Sequence, residues 1–188
     1  MTDDRLPATA YVVLGLVSVR PSAGHDLVAF AQRSIGNFFP LTRSHVYSEL
    51  DRLCRLGLLS ATEVEQERFP TKRVYEITGE GTEVLAAWVD DTELPRERQR
   101  SLFLVRIFFG DRMSSAQLEE LLASYERAAR ARRDRFAEVS ERLAERPQST
   151  FRRATAMFGL AQAQAMLDWV AEVRPLLLGD RYADSDRC

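Results

Sequence analysis

Residues 41–78 read LTRSHVYSELDRLCRLGLLSATEVEQERFPTKRVYEIT, and this stretch decides how the chain is interpreted. Its first part carries apolar residues at helical spacing, which predicts an amphipathic helix with one buried face. These residues are Val46, Leu50 and Leu53. Thr42 stands directly before them, where its hydroxyl can accept a hydrogen bond from a free backbone N–H and cap the helix. Gly57 stands where helices commonly end in a left-handed residue.

The second part of the stretch predicts a β-hairpin. Residues 61–64 and 74–77 are rich in strand-forming side chains, and Arg68-Phe69-Pro70-Thr71 lies between them with a proline suited to a turn. Lys72 and Arg73 follow directly and give the expected hairpin tip a basic character. A helix with a polar and basic first turn, followed by a hairpin with a basic tip, suits a DNA major groove and the neighbouring phosphate backbone.

Two further helices are predicted upstream of this stretch. The first opens at Leu6-Pro7-Ala8-Thr9 and is broken by Pro21-Ser22-Ala23-Gly24, and the second spans 25–35. Residues 36–40, GNFFP, form the expected turn before the central helix. Three helices followed by a hairpin predict a winged helix-turn-helix domain within a mainly α protein.

At this point residues 11–91 resemble the PadR-type transcriptional regulators. The matching segments are YVVLGLVSVRPSAGHDL (11–27), HVYSELDRLCRLGLL (45–59) and KRVYEITGEGTEVLAAWV (72–89). His25 stands where that family often has tyrosine. The rest of the chain resembles the longer subgroup of this family, and that resemblance implies a helical C-terminal domain that makes the contacts of a dimer.

The predicted function is therefore transcriptional regulation by a DNA-binding homodimer, most simply a repressor. The residues expected to face the groove are Thr42, Arg43, Ser44, His45 and Tyr47. Arg43 is the candidate for a bidentate contact to guanine. Arg68, Lys72 and Arg73 are expected to hold phosphates or to enter the minor groove.

The chain after Pro95 reads as helix throughout. A short apolar segment ends near Phe109, Ser114 or Ser115 can cap a long helix to about Glu145, and a last helix spans 151–178. The long helix carries a heptad pattern typical of a shallow helix–helix seam. Its positions are Leu118, Leu122, Tyr125, Ala129, Arg132, Phe136, Val139 and Leu143. Arg132 in such a seam is expected to pair, for example with a carboxylate of a partner helix.

These features define a predicted organisation. Residues 1–93 form the DNA-binding domain, residues 94–182 form the helical dimerisation domain, and residues 183–188 form a disordered tail. A two-fold dimer would bury the apolar surface of the C-terminal helices and set two recognition helices about one DNA turn apart, to match a palindromic operator.

Some aromatic and apolar residues suggest a pocket for a small aromatic or drug-like effector at the interface. They are Trp88, Phe103, Phe108, Phe158, Met166 and Trp169. The alternative interpretation is that these side chains only fill the core, and it is the more common outcome for such residues.

The charge balance argues against DNA binding in part. The chain carries a formal net charge of −2, and residues 1–95 hold nine Lys and Arg against fourteen Asp and Glu. DNA affinity depends on the local patch that faces phosphate, so clustered cations can still suffice. Evenly mixed charge on the recognition helix and wing would instead favour a winged-helix adaptor that binds proteins without specific DNA binding.

Catalysis finds little support in the composition. The two histidines, His25 and His45, have no acid spaced to form a triad, and no metal-binding cluster, phosphate loop or dinucleotide motif is present. No cofactor is expected. Two cysteines and no long apolar run predict a cytoplasmic protein without a membrane segment.

Overall fold

A computed structural model describes residues 6–65, 71–93 and 100–179. The chain forms two compact units, Met1–Arg96 and Glu97–Cys188. Three predicted features fall at least partly outside the described residues. They are the tail at 183–188, Arg68 of the hairpin tip and the domain boundary at 93/94. The mainly α fold with a small antiparallel sheet is confirmed.

Within its described residues, the N-terminal unit contains four helices and three strands. In chain order they are α1 (Ala8–Val19), β1 (Ser22–Ala23), α2 (Gly24–Ser34), α3 (Arg43–Arg55), β2 (Leu59–Val64), β3 (Lys72–Ile77) and α4 (Gly79–Asp90). Its core is formed by apolar residues of α1, α2 and α3 packed against the sheet, with Leu14, Leu27 and Leu50 fully buried. Burial of such side chains stabilises the folded unit by about 1.5–3 kcal/mol each. This packing holds α3 in a fixed orientation on the core.

The sheet has one more strand than the sequence predicted. Its order is β1-β3-β2, all antiparallel, and Ser22 and Ala23 pair with Tyr75 and Val74 of β3. The expected break between the first two helices is therefore a two-residue strand. Two residues are too short to show the alternation of a strand, so only the pairing with distant β3 reveals it.

The end of α3 is joined to the start of α4 by a compact set of hydrogen bonds. Gly57 has a φ of +74°, as predicted for the residue that ends the helix. Thr78 caps α4 by accepting from the backbone N–H of Gly81 at 3.0 Å, and its hydroxyl donates to the carbonyl of Gly57 at 2.8 Å. One threonine thus fixes both the start of α4 and the turn after α3.

The part of the C-terminal unit that the structure describes contains three helices and two single 3-10 turns. They are α5 (Leu102–Phe108), the turn Gly110–Arg112, α6 (Ser115–Ala144), the turn Pro147–Ser149 and α7 (Thr150–Leu178). The predicted cap of α6 is confirmed, because Ser114 and Gln117 form a reciprocal capping box. Contacts join early residues of α6 to late residues of α7, so the two helices run antiparallel.

The predicted heptad of α6 is buried against α7 at some positions and half-buried at the others. Leu118, Leu122, Ala129 and Phe136 are buried, while Tyr125, Val139 and Leu143 are half-buried. Arg132, also half-buried, donates to the side-chain oxygen of Gln162 on α7 at 3.2 Å and lies over the ring of Phe136. The guanidinium is thereby accommodated at the edge of the seam by an amide and an aromatic face.

Candidate nucleic-acid interface

Helix α3 has one buried face and one exposed face. Val46, Leu50 and Leu53 are fully buried in the core, as their spacing predicted. The residues that start the helix lie at its exposed end, where Thr42, Arg43, Ser44 and His45 all face solvent. This end of the helix therefore offers polar and basic side chains that make few contacts with the rest of the unit.

The Thr42 hydroxyl has a structural role in the N-terminal unit. It accepts from the backbone N–H of His45 at 3.2 Å and shares a hydrogen bond of 3.0 Å with the Ser44 hydroxyl. This is the predicted cap of α3, and it orders the first turn of the helix. Because the same hydroxyl was also a candidate groove contact, a Thr42 substitution would alter both roles.

The ring of Tyr47 is held between α2 and Arg43. A Cβ atom added at Gly24 would lie 2.8 Å from the ring, so the absence of a side chain at Gly24 makes room for it. The Arg43 guanidinium lies 5.5 Å from the centre of the same ring. Tyr47, which is half-buried, thus supports Arg43 by a cation–π contact, in addition to its candidate role at the groove.

The register of the wing places its cations on different faces. Val64 pairs with Lys72, and Glu63 pairs with Arg73. Because successive strand residues point to opposite faces, Arg73 shares the face of buried Tyr75, whereas Lys72 lies on the other face. The predicted wing cations therefore do not form a single group at the hairpin tip among the residues that the structure describes.

Arg73 is engaged by α3. Its Nη1 lies 3.3 Å from Oδ1 of Asp51, and its guanidinium lies 5.3 Å from the centre of the Tyr75 ring. Asp51 is not among the residues that the sequence predicted to face the groove. The alternation of β3 predicts which face Arg73 takes, but the proximity of a residue 22 positions away follows only from the packing of the wing on α3.

The charge of this surface differs between the helix and the wing. On α3, Arg43, Arg52 and Arg55 accompany a single exposed carboxylate, Asp51, because Glu49 accepts a hydrogen bond from Thr9 of α1. The described wing residues carry both signs. They are Glu63, Glu65, Lys72, Arg73 and Glu76. The helix is thus basic, whereas the wing is mixed.

Burial controls the titration of two groups behind this surface. Burial raises the pKa of the Cys54 thiol and of the Tyr75 hydroxyl, with Arg73 acting in the opposite direction on both. The Cys54 thiol is therefore neutral at ordinary pH.

The residues predicted to line an effector pocket belong to both units. In the N-terminal unit, Trp88 stacks on Tyr11 with ring centroids 5.1 Å apart. In the C-terminal unit, Phe103 and Trp169 meet edge to face at 5.7 Å. Tyr125, which the sequence analysis did not include, stacks on Phe103 at 3.7 Å.

The other predicted pocket residues of the C-terminal unit differ in exposure. Phe108 is 80% exposed and lines a cleft of about 420 Å³ with Phe109, Arg112, Leu177 and neighbouring residues. Phe158 is 69% exposed, and Met166 is half-buried.

The described residues give no structural basis for a metal centre. Within residues 6–65, 71–93 and 100–179, no three His, Cys, Asp or Glu side chains are grouped to hold a metal ion. Within the same ranges, no helix has both the length and the apolar character required to cross a bilayer.

The helical order, the capped α3 and the two-stranded wing define the N-terminal unit as a winged helix-turn-helix. Residues 13–87 match the transcriptional regulator PadR-like family, and residues 99–177 match the virulence activator alpha C-terminal domain. The chain thus combines a PadR-like domain with a virulence activator alpha C-terminal domain and is identified as a PadR-like transcriptional regulator. The proteins that it matches are transcriptional regulators and not enzymes.

Two characterised sequences are similar to this chain. The negative transcriptional regulator PadR of Bacillus subtilis is 23% identical over 111 residues, a region covering 59% of this chain and 61% of that protein. A probable transcriptional regulator of Mycobacterium tuberculosis, Rv1176c, is 26% identical over 184 residues, covering 90% of this chain and 97% of that protein.

Solved structures share the fold. Bacillus subtilis PadR in complex with operator DNA matches with a TM-score of 0.82 at 18% identity, covering 91% of this chain and 99% of that one. The same protein in complex with p-coumaric acid matches with a TM-score of 0.76 at 16% identity, with the same coverage. The Vibrio cholerae virulence activator AphA matches with a TM-score of 0.68 at 23% identity, covering 94% and 99%.

Proposed function

We propose that this regulator binds operator DNA as a homodimer, with the exposed first turn of α3 in the major groove. The observation that carries the proposal is the basic, exposed face of α3, whose opposite face is fixed in the core. Arg43 is the base-reading residue, because it projects from the first turn and is supported by Tyr47. The DNA complex of Bacillus subtilis PadR supports this use of the fold.

Lys72 is the wing residue assigned to the phosphate backbone. It lies at the start of β3, on the face opposite to the one that carries Arg73 and Tyr75. A lysine there acts as a point charge that holds the protein on the duplex without reading sequence. Arg68 keeps the same proposed role, and it lies outside the described residues.

The C-terminal unit supplies the proposed dimer contacts. Many large apolar side chains of α5 and α7 are exposed in the single chain. They include Leu102, Leu104, Phe108, Phe151, Phe158 and Leu176. So many exposed large apolar side chains are unfavourable in water, and they support association with a partner. A second copy would bury it and would present two α3 helices to the two halves of a palindromic operator.

We further propose that the DNA-bound dimer represses transcription and that a small effector releases it from DNA. An operator occupied by the dimer would block transcription, and an aromatic effector would lower DNA affinity if it bound the free form more tightly. The p-coumaric acid complex of Bacillus subtilis PadR supports an aromatic acid as the class to test first. The cluster of Phe103, Tyr125 and Trp169 offers aromatic surface on which such a molecule can stack.

A protein-binding adaptor is the second candidate, and the mixed charge of the wing favours it. Five described charged residues of the wing include three carboxylates, which weaken its attraction for phosphate. The adaptor and the DNA-binding regulator differ in one measurable property, which is discrimination between duplexes.

The test is fluorescence anisotropy of the full chain on a labelled duplex taken from upstream of its own gene, titrated from low to moderate salt. Saturable binding that exceeds binding to a scrambled duplex, with a linear log–log salt dependence, is expected of the regulator. Equal binding to both duplexes, or none at low salt, on this and on other candidate operators would favour the adaptor. Addition of p-coumaric acid to the bound complex tests effector release.

A further inference from the structure

The ion pair between α3 and the wing joins two exposed side chains. Asp51 is 62% exposed and Arg73 is 47% exposed, with 3.3 Å between Oδ1 and Nη1. The Tyr75 ring lies beneath the Arg73 guanidinium and restricts where it can go. Glu63 lies directly across the β2–β3 ladder from Arg73, so a second carboxylate belongs to the same neighbourhood.

The position of Asp51 requires an explanation if α3 meets DNA. The other acid of α3, Glu49, accepts a hydrogen bond from Thr9 of α1 and is half-buried. Asp51 instead stands on the exposed face, among the arginines of the helix. A carboxylate near phosphate lowers DNA affinity unless a cation compensates it, and Arg73 is in place to do so.

We propose that Asp51 is a positioning residue that withholds Arg73 from the DNA backbone. Because Arg73 is held against α3, a phosphate has to compete with the Asp51 carboxylate for the guanidinium. The wing then contacts phosphate through Lys72, on the opposite face of β3, while Arg73 links the wing to α3 through its ion pair with Asp51. This inference rests on the proposed binding of DNA through α3 and the wing.

The restraint has a consequence for affinity. A phosphate contact strengthens binding to every sequence alike, whereas base contacts by α3 discriminate between sequences. Withholding one cation therefore lowers affinity for random DNA and operator by the same factor. The ratio of the two affinities, which sets specificity, is left unchanged.

The experiment compares the salt dependence of DNA binding for wild type, Asp51→Asn, Arg73→Gln and the double variant, by anisotropy on operator and scrambled duplexes. Asp51→Asn is expected to tighten binding to both duplexes by roughly fivefold to tenfold at about 0.1 M salt and to steepen the log–log slope by about 0.9, the effect of one added phosphate contact. Arg73→Gln is expected to leave the wild-type slope unchanged. The double variant is expected to behave like Arg73→Gln.

Glu83→Gln provides the matched control for simple loss of a negative charge. Glu83 is exposed on α4, outside α3 and the wing, so its removal should leave the slope unchanged. Thermal unfolding of each variant checks that the fold is retained, as expected for an exposed pair whose contribution to stability is small.

Two results would overturn the inference while leaving DNA binding intact. One is an equal gain from Asp51→Asn in the presence and absence of Arg73, which would mean general repulsion by Asp51. The other is a flatter slope for Arg73→Gln, which would mean that Arg73 already contacts phosphate. Absence of salt-dependent DNA binding by the wild type would overturn the proposed function itself, and this inference with it.

Discussion

The backbone of Gly81 packs directly on that of Leu58. A Cβ atom added at Gly81 would stand 2.1 Å from the carbonyl oxygen of Leu58, far inside any real contact. Leu58 follows the turn that ends α3, and Gly81 lies in the first turn of α4. The close approach therefore sets how α4 packs beside the end of the candidate recognition helix.

Gly81→Ala is accordingly expected to destabilise the N-terminal unit by about 1–3 kcal/mol or more, because backbone has to move to make room. Gly79→Ala is the matched control, since nothing lies within 4 Å of a Cβ at that position of the same helix. Alanine there is expected to be neutral or mildly stabilising. Chemical denaturation of the two variants gives the comparison, and equal stability would contradict the packing described here.

Alanine substitutions of Arg43 and Lys72 are expected to change DNA binding in different ways. Arg43→Ala should remove most of the preference for operator over random DNA, about 1–3 kcal/mol, because a base contact is lost. Lys72→Ala should weaken binding to both duplexes alike and flatten the salt slope by about 0.9. Anisotropy titrations measure both quantities. Equal losses on operator and random DNA for Arg43→Ala would refute its assignment.

The exposed apolar residues of the C-terminal unit are expected to control assembly. A Phe108→Ser, Phe158→Ser double variant should shift the protein from dimer towards monomer, because each aromatic side chain removed from an interface costs about 2 kcal/mol or more if it is a hot spot. Val89→Ser is the control, since Val89 is 66% exposed on α4 of the N-terminal unit. Sedimentation equilibrium decides, and an unchanged dimer in the double variant would locate the interface elsewhere.

Protonation of Glu126 is expected to destabilise the antiparallel pair of helices α6 and α7 at acidic pH. Hydrogen bonds from Arg130 and Arg174 hold the pKa of Glu126 below its ordinary value of 4.5, and Arg174 reaches it across the seam from α7 at 2.8 Å. A folded-state pKa below the unfolded value gives stability that is present above the unfolded pKa and is lost as pH falls through the folded pKa.

The measurement for Glu126 is the thermal unfolding midpoint between about pH 5 and about pH 3. Wild type should lose stability over this window more steeply than Glu126→Gln. Glu141→Gln, an exposed acid on the same helix, should retain the wild-type steepness. The same pH dependence in all three proteins would show that the ion pair across the seam contributes nothing.

Gly159 and Phe136 are expected to be coupled. A Cβ at Gly159 of α7 would lie 2.5 Å from the ring of Phe136 of α6, and Phe136 is buried. Gly159→Ala should destabilise the pair of helices α6 and α7 by about 1–3 kcal/mol through overpacking. Adding Phe136→Leu should recover part of that loss, because the smaller side chain leaves room for the methyl group. A double-mutant cycle of unfolding free energies measures the coupling, and simple additivity would argue against the contact.

Local signals in the sequence determined the helices and several of their ends. Thr42 and Ser114 cap helices, Gly57 takes the left-handed conformation, and Val46, Leu50 and Leu53 are buried, because each property depends on neighbours within one or two helical turns. The same signals carried the resemblance that led to the family. They also identified the exposed first turn of α3 as the candidate site.

The tertiary structure alone decided which distant residues meet. It paired Ser22 and Ala23 with β3, joined Asp51 to Arg73, placed Gly81 against Leu58, and stacked Phe103 on Tyr125. No periodicity records such contacts, since each depends on the packing of whole elements. The sequence by itself therefore determined the class of protein and its candidate recognition helix, whereas packing determined that Arg73 of the wing pairs with Asp51 of that helix.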